Sequence, residues 1–266
     1  MRQFIVDVDG ARLAGEGSES PAVVLVHGMA GDRSDWDVLV RALPDDLPLL
    51  RYDLRGFGES TGPDGVEFSH ADDLIAVLDA QGIDRTVLVG VSMGGAIVVN
   101  TALNHPDRVS GLVLISPALT AWRWSRDWRA RWKDVATLVQ AGDIDGARDL
   151  WWTHPMFDAV RETPVAGDLR MALNRFAGRQ WLGDDQRREL PDAERLHALS
   201  TPTTLLSGAR DADDMCLIAD VIAAAAPDVE RIDFPDAGHM LHWERPADVA
   251  AAITGSSHAV DSPDPS

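Results

Sequence analysis

The sequence predicts an α/β fold, a mainly parallel eight-stranded sheet with helices on both faces. Short, β-branched apolar runs of strand length alternate along the chain with longer stretches whose apolar residues recur at helical spacing. That alternation is typical of parallel sheets, which are buried on both faces. A Gly-x-Ser-x-Gly pattern at residues 90–94 lies where one strand-like run meets a helical stretch. At 266 residues, the chain suits one sizeable domain with an insertion.

Eight segments have the length and composition of strands. Residues 4–8 and 11–14 flank Asp9-Gly10, a hairpin turn signal, so we expect them to pair in antiparallel fashion. The remaining six are predicted to lie parallel; they cover residues 22–26, 49–54, 86–91, 111–116, 203–207 and 229–234. Parallel sheets place their active sites at the carboxyl ends of the strands. The loops after residues 27, 91 and 207 should therefore meet at one edge of the sheet.

Five helical stretches accompany these strands. They cover residues 34–43, 69–80, 93–104, 212–226 and 246–253. Ser69 is predicted to cap the second of these helices, with Asp72 completing a near capping box, and Gly82 is predicted to end it.

The pattern changes after residue 118. Residues 119–200 contain no strand-like run but four amphipathic helical stretches, at residues 126–141, 144–153, 165–176 and 191–199. Seven of the nine tryptophans lie between Trp122 and Trp181. We therefore predict a core formed by residues 1–118 and 201–254, with residues 119–200 inserted into it. Residues 255–266 are polar and contain proline, which indicates a disordered tail.

Composition limits the classes of partner. The formal charge of −19 argues against nucleic acids and anionic membranes as partners and favours solubility. The expected partner is a small-molecule substrate. No apolar run is long enough for a transmembrane helix, and the N-terminus lacks the apolar core of a signal peptide. Cys216 is the only cysteine, so no intrachain disulfide can form and we expect a cytoplasmic location. The oligomeric state stays open between monomer and homodimer.

The pattern at residues 90–94 predicts a nucleophile. A strand that turns directly into a helix holds the residue at the corner in a strained backbone, with its side chain raised clear of the sheet. Gly90 and Gly94 allow the neighbouring backbone to approach closely. Ser92 also begins a helix, where unpaired N–H groups favour developing negative charge. We therefore predict that Ser92 is a catalytic nucleophile.

A serine hydroxyl needs a base, and the base needs a third group to orient it. The base candidate is His239, which follows the last predicted strand, and the acid candidate is Asp211, which follows the strand before. Asp213 and Asp214 are close enough in sequence to replace Asp211. His242 is a second candidate for the base, although it lacks a preceding glycine. We find neither metal-ligand spacing nor a phosphate or dinucleotide loop, and we expect no metal and no cofactor.

These motifs together resemble the α/β-hydrolase fold superfamily, in its group of serine esterases, lactonases and C–C hydrolases with a helical cap. The order of serine, acid and histidine along the chain is the order of that family. The motifs that carry the resemblance are His27-Gly28-Met29, residues 53–60 (Asp-Leu-Arg-Gly-Phe-Gly-Glu-Ser), residues 90–95, residues 208–211 (Gly-Ala-Arg-Asp), Gly238-His239 and Glu244-Arg245-Pro246.

The resemblance implies further roles. It implies an oxyanion hole formed by the backbone N–H groups of Met29 and Met93. It also implies that residues 119–200 form the helical cap over the active site. The tryptophans of this cap offer flat apolar surface for a bulky substrate. The candidate pocket residues are Trp124, Trp128, Trp151, Trp152 and His242.

The expected function is therefore a serine hydrolase that cleaves a carboxylic ester or a lactone of a bulky apolar molecule through an acyl-enzyme. Three alternatives stay open on the sequence. The same triad serves acyltransferases or synthases, it serves C–C bond hydrolases, and it persists in vestigial form in ligand-binding receptors.

Overall fold

The computed structural model describes residues 1–183 and 185–260. In this part of the chain, eight strands form one sheet. They are β1 (Arg2–Val8), β2 (Ala11–Gly17), β3 (Val23–Val26), β4 (Leu49–Tyr52), β5 (Thr86–Val91), β6 (Val109–Ile115), β7 (Thr203–Gly208) and β8 (Val229–Phe234). Their order across the sheet is β1-β2-β4-β3-β5-β6-β7-β8. The predicted fold class is confirmed.

The pairing of the strands explains where the site forms. β1 pairs with β2 and β2 with β4 in antiparallel fashion, whereas every pairing from β4 to β8 is parallel. The β1–β2 hairpin turns at Asp9 and Gly10, which have φ of 47° and 76°. Positive φ at both positions matches the right-handed twist of the two strands. The carboxyl ends of β3, β5, β7 and β8 lie at one edge of the parallel part.

Ten α-helices are present in the described residues. They are α1 (Asp37–Val40), α2 (His70–Ala80), α3 (Met93–Asn104), α4 (Arg126–Gln140), α5 (Ile144–Trp152), α6 (Asp158–Arg161), α7 (Ala166–Leu173), α8 (Asp213–Ala225), α9 (Leu241–Glu244) and α10 (Pro246–Val260). Two buried apolar clusters cover the two faces of the sheet. One contains Leu74 of α2 and Ile218 of α8, and the other contains Leu39 of α1 and Ile253 of α10.

Three local predictions about helices are wrong. Residues 34–43 form a 3₁₀ turn, Arg33–Trp36, followed by the single turn of α1. Residues 191–199 form two 3₁₀ turns instead of a helix. Here the buried carboxylate of Asp192 accepts a hydrogen bond from Asn100 at 3.0 Å, and this tertiary contact overrides the amphipathic pattern. Ser69 precedes α2, but its side chain makes no capping hydrogen bond.

The tail prediction is wrong for residues 255–260, which continue α10 to Val260. The polar side chains that suggested a tail bond within the helix instead. Thr254 Oγ1 donates to the carbonyl of Ala250 at 2.8 Å, and Ser256 Oγ donates to that of Ala252 at 3.0 Å. Residues 261–266 of the predicted tail lie outside the described residues.

The described residues of 119–200 contribute helices α4–α7 and 3₁₀ turns but no strand of the sheet. Trp151 lies at the centre of an aromatic cluster in this segment, with ring centroids 5.7 Å from Trp132, 6.0 Å from Trp181 and 5.3 Å from His154. The division of the chain into a core and an inserted segment at residues 119–200 stays a prediction. Over residues 1–183 and 185–260, no helix combines the length and apolarity needed to cross a bilayer.

Candidate active site

Ser92 occupies the corner between β5 and α3. Its φ of 53° and ψ of −118° are strained for a residue with a side chain. Backbone hydrogen bonds hold this conformation on both sides. The Ser92 N–H donates to the carbonyl of Ile115 at 3.1 Å, and the Ser92 carbonyl accepts from the N–H of Ala118 at 2.9 Å. The end of β6 and the loop after it therefore position the predicted nucleophile.

The glycines of the motif are required by close backbone contacts. A Cβ at Gly94 would lie 2.0 Å from the carbonyl oxygen of Val26 in β3. A Cβ at Gly90 would lie 2.4 Å from the carbonyl oxygen of Gly94. Any side chain at these positions would push the neighbouring backbone apart.

His239 and Asp211 form a buried pair at the carboxyl ends of β8 and β7. His239 Nδ1 lies 2.8 Å from Asp211 Oδ2, and each side chain is 2% exposed. The two other acid candidates lie elsewhere. Asp213 is exposed, and Asp214 accepts hydrogen bonds from the N–H and hydroxyl of Ser125 at 2.9 and 2.6 Å. The geometry thus favours Asp211 as the partner of His239.

Glu244 holds the loop that carries His239. Its carboxylate accepts hydrogen bonds from the N–H groups of Gly238 and Met240, at 2.9 and 3.0 Å, on either side of the histidine. Burial raises the pKa of Glu244. Glu244 entered the sequence analysis only as part of a motif, because a contact between a side chain and a loop backbone leaves no periodic signal.

His27 and Asp53 brace the loops beside the site. The Leu54 N–H donates to His27 Nε2 at 3.0 Å, which leaves Nδ1 as the donor to the carbonyl of Gly28 at 2.9 Å. Burial lowers the pKa of His27, so the ring is neutral. The carboxylate of Asp53 accepts from the N–H groups of Arg33 and Glu59 at 2.7 and 2.9 Å.

Two cavities meet at Ser92. The larger one, which we name the tryptophan cleft, has a volume of about 400 Å³ and is lined by Ser92, Met29, Met93 and side chains of residues 119–200, the predicted cap. The smaller one, which we name the small cavity, has a volume of about 40 Å³. Ser92, His239 and Met29 line the small cavity together with other side chains of residues 119–200. Ser92 and Met29 thus face both cavities, whereas His239 lines the small one.

Met29 and Met93, whose backbone N–H groups are the predicted oxyanion donors, lie close to Ser92. Both residues line the tryptophan cleft with it, and a Cβ at Gly28 would lie 3.3 Å from Ser92 Cβ. Met93 is the first residue of α3, where backbone N–H groups have no intrahelical acceptor. The oxyanion hole itself stays a prediction.

Three of the four predicted pocket tryptophans line the tryptophan cleft. Trp124 and Trp128 are stacked with ring centroids 4.2 Å apart, and Trp151 lines both cavities. Trp132, which the sequence analysis did not select, also lines the cleft. Trp152 lines neither cavity. Consecutive helical residues project about 100° apart, so Trp152 packs on Phe157, at 5.0 Å between ring centroids.

His242 lines the small cavity and is buried. Its ring lies 5.1 Å from that of Trp36, and in the described residues neither of its nitrogens has a hydrogen-bond partner. Burial lowers the pKa of His242 to about 3, with a smaller contribution from His239. The sequence candidate for a second base is therefore a neutral residue of the cavity wall, separate from the pair of His239 and Asp211.

Asp35 also lines the small cavity, and the sequence analysis did not select it. It is 7% exposed, and among the described residues its carboxyl makes no hydrogen bond. A Cβ at Gly31 would lie 1.9 Å from Asp35 Oδ2, so the turn from Gly28 to Gly31 fits closely over this carboxyl. In the sequence it fell within the predicted helical stretch at residues 34–43, which gave no functional signal.

Burial raises the pKa of Asp35 to about 8. The negative charges of Asp32, Asp37 and Asp53 act in the same direction, and the charge of Arg175 opposes them. The Asp35 carboxyl is therefore mostly protonated at neutral pH, and it can both donate and accept a hydrogen bond.

Over the described residues, no group of three or more His, Cys, Asp or Glu side chains has the arrangement of a metal site.

Comparisons with known proteins agree with this architecture. The family model described as the alpha/beta hydrolase fold matches residues 21–150. The chain is 31% identical over 242 residues to the 2-succinyl-6-hydroxy-2,4-cyclohexadiene-1-carboxylate synthase of Enterobacter sp. (strain 638), covering 88% of this chain and 90% of that protein. It is 27% identical to esterase YbfF of Escherichia coli (strain K12), covering 87% and 91%.

A solved structure shares the whole fold. The thermophilic esterase from Thermogutta terrifontis superposes with a TM-score of 0.82 at 28% identity, and the match covers 98% of this chain and 100% of that one.

The raised pKa of Asp35 predicts a pH-dependent stability. Between its unfolded pKa of about 4 and its folded pKa of about 8, the folded protein binds a proton that the unfolded chain does not. Asp35 should therefore lower the unfolding free energy as the pH rises through this window, by up to about 1.4 kcal/mol per pH unit. Replacing it by asparagine, Asp35→Asn, should remove this loss, as measured by urea unfolding at about pH 5 and pH 8.

Asp37→Asn is the control, because Asp37 is half exposed and pairs with Arg51. Its pH profile should keep most of the decline of the wild type, because the Asp37 charge contributes less than burial to the raised pKa of Asp35. An Asp35→Asn profile that also follows the wild type would show that the Asp35 carboxyl is ionised at neutral pH.

Proposed function

Because the chain belongs to the α/β-hydrolase family, we propose that it is a serine hydrolase that cleaves a carboxylic ester or a lactone through an acyl-enzyme. The observation that carries the proposal is the buried His239–Asp211 pair, with 2.8 Å between Nδ1 and Oδ2, in a cavity that Ser92 also lines. A serine, a histidine and a carboxylate in this relation form the constellation that activates a hydroxyl nucleophile.

In the proposed reaction, Ser92 Oγ attacks the substrate carbonyl while His239 Nε2 takes its proton. Asp211 accepts the Nδ1–H of His239, which fixes the tautomer and stabilises the imidazolium that forms. The N–H groups of Met29 and Met93 are the donors for the oxyanion, and each such donor typically contributes about 3–4 kcal/mol to the transition state. His239 then protonates the leaving group, and the acyl group stays on Ser92.

The two cavities suggest which part of the substrate lies where. The leaving oxygen must be within hydrogen-bond reach of His239, and His239 lines the small cavity. The alcohol therefore leaves on the side of the small cavity, and the acyl group occupies the tryptophan cleft. The cleft has about 400 Å³ and the faces of Trp124, Trp128 and Trp151. These features favour a bulky apolar or aromatic acyl group.

A second candidate is an acyltransferase or synthase that uses the same triad. The similarity to the Enterobacter synthase favours it, whereas the similarity to the esterases from Escherichia coli and Thermogutta terrifontis favours hydrolysis. Product analysis separates the two, because hydrolysis yields the free acid and transfer yields a new ester or amide.

The proposal predicts a specific order among the acid candidates. Asp211→Asn should lower kcat for a p-nitrophenyl ester by about 10⁴, because the imidazole loses its tautomer control. Asp213→Asn and Asp214→Asn should stay close to the wild type, since neither side chain contacts His239. The measurement is steady-state kinetics on variants purified away from host esterases.

Ser92→Ala sets the background rate in the same assay, with an expected loss of about 10⁴–10⁶ in kcat. If Asp213→Asn lost its activity and Asp211→Asn did not, the assignment of Asp211 as the acid would be wrong. Near-normal turnover by Ser92→Ala would remove the proposed mechanism altogether.

The tryptophan cleft predicts selectivity for large acyl groups. Trp128→Ala should lower kcat/KM for p-nitrophenyl phenylacetate by about thirtyfold, because the ring of the substrate loses a stacking surface. The acetate ester, whose acyl group is too small to reach the cap, should change far less. Both esters are assayed side by side, with a thermal melt of each variant.

Trp152→Ala is the matched control, because Trp152 lies in the same segment but outside the cleft. It should lose stability without changing the ratio of the two esters. Equal losses on both esters in Trp128→Ala would mean that the tryptophan only holds the cap together.

A further inference from the structure

We propose that the small cavity is the site of the water molecule that hydrolyses the acyl-enzyme, and that Asp35 and His242 bind and orient this water. The inference rests on the proposed function and deepens it, because it names the residues that give water access to the acyl group. The two side chains share one property. Both are buried, and both line the cavity beside Ser92 and His239. In addition, both ring nitrogens of His242 are buried without a hydrogen-bond partner in the described residues.

The ring nitrogens of His242 need an explanation, since a buried polar atom without a partner typically costs about 1–3 kcal/mol. Neither Asp35 nor His242 takes part in the His239–Asp211 pair. Both face the same space of about 40 Å³, which is sufficient for one water molecule. A stable water site also needs two to four polar partners. Asp35, His242 and His239 supply three partners around this cavity.

Besides the indole of Trp151, the side chains of residues 119–200 that line the small cavity are apolar; they are Met156, Phe157, Leu169 and Leu173. The other polar side chains of the lining are those of Asp35, Ser92, His239 and His242. A water molecule that is bound to them lies close to the carbonyl carbon that is attached to Ser92.

The protonation states are compatible with this role. The protonated Asp35 carboxyl can donate a hydrogen bond to the water oxygen, and the neutral ring of His242 can accept one from the water. The second water hydrogen then faces His239 Nε2. Neither Asp35 nor His242 takes a proton in the reaction, so both act as positioning residues.

Deacylation transfers the acyl group from Ser92 to the water molecule. The water oxygen forms a bond to the acyl carbon while His239 Nε2 takes one water proton. The bond between the acyl carbon and Ser92 Oγ then breaks, and His239 returns the proton to Ser92 Oγ. The products are the free carboxylic acid and the unmodified enzyme.

The site also decides between hydrolysis and transfer. A small alcohol such as methanol competes with water for the acyl group. It brings a methyl group that gains little from the polar side chains of the cavity. With Asp35 and His242 in place, a larger share of the acyl-enzyme reacts with water. With apolar residues at these two positions, a larger share reacts with the alcohol.

The test measures how the acyl-enzyme partitions between water and methanol. Wild type, Asp35→Leu, His242→Leu and Asp35→Asn react with p-nitrophenyl phenylacetate at a fixed methanol concentration. Nitrophenol release gives acylation, and the ratio of methyl ester to free acid gives the partition. Asp37→Asn, at a half-exposed carboxylate outside the cavity, is the control.

We expect Asp35→Leu and His242→Leu each to raise the ratio of methyl ester to acid by about tenfold, the effect of losing one hydrogen bond to the water. Deacylation should slow more than acylation, so that a burst of nitrophenol precedes the steady state. Asp35→Asn keeps a donor and an acceptor and should retain most of the wild-type ratio.

A wild-type ratio in both leucine variants would overturn the water site, and so would a ratio that changes equally in Asp37→Asn. If Asp35→Leu fails to fold, His242→Leu and Asp35→Asn carry the same comparison. Failure of the proposed function has a different signature. In that case, the wild type itself would release no nitrophenol, and the inference would fall with it.

Discussion

Ser92 has a backbone φ of 53° between a buried strand and a buried helix, and the geometry of the active site depends on this one strained residue. The conformation raises the hydroxyl from the sheet and places the N–H of Met93 at the start of α3 beside it. It persists because the end of β6 and the loop after it hold the Ser92 backbone through hydrogen bonds. The backbone of β3 and of α3 also lies so close that residues 94 and 90 must be glycines. The free energy stored in this corner is about 1–3 kcal/mol. The favourable packing of the surrounding sheet offsets this free-energy cost.

The sequence was sufficient to predict the parts of the molecule that repeat or have a local signature. Strand-length apolar runs predicted the sheet, and Asp9-Gly10 predicted its hairpin, because both signals lie within a few residues. Residues 255–260 were mispredicted because polar side chains that suggested a tail bond to the preceding turn of the helix. Residues 191–199 were mispredicted because their structure is decided by a contact with a distant segment, that of Asp192 with Asn100. Asp35 was missed for the same reason. No pattern of neighbours shows that its carboxyl is buried beside Ser92.

In this account, the two cavities have different roles in the reaction. The tryptophan cleft offers apolar area and aromatic faces, which favour a large acyl group through burial. The small cavity is lined by the polar side chains of Asp35, His239 and His242 and has room for one water molecule. Ser92 lies where the two meet, so the acyl carbon would have the bulky group on one side and the attacking molecule on the other. In this account, the cap sets substrate size while Asp35 and His242 set the choice of nucleophile for deacylation.

The central claim is that Ser92 is the nucleophile, and covalent labelling tests it most directly. The enzyme is treated with a fluorophosphonate, which phosphonylates activated serines, and its intact mass and peptide map are recorded. The account predicts one adduct per chain, on the peptide that contains Ser92, and none on Ser92→Ala. It also predicts much slower labelling of Asp211→Asn, which retains the serine but loses the orientation of its base. An unlabelled wild-type enzyme, or an adduct on a different residue, would contradict the account.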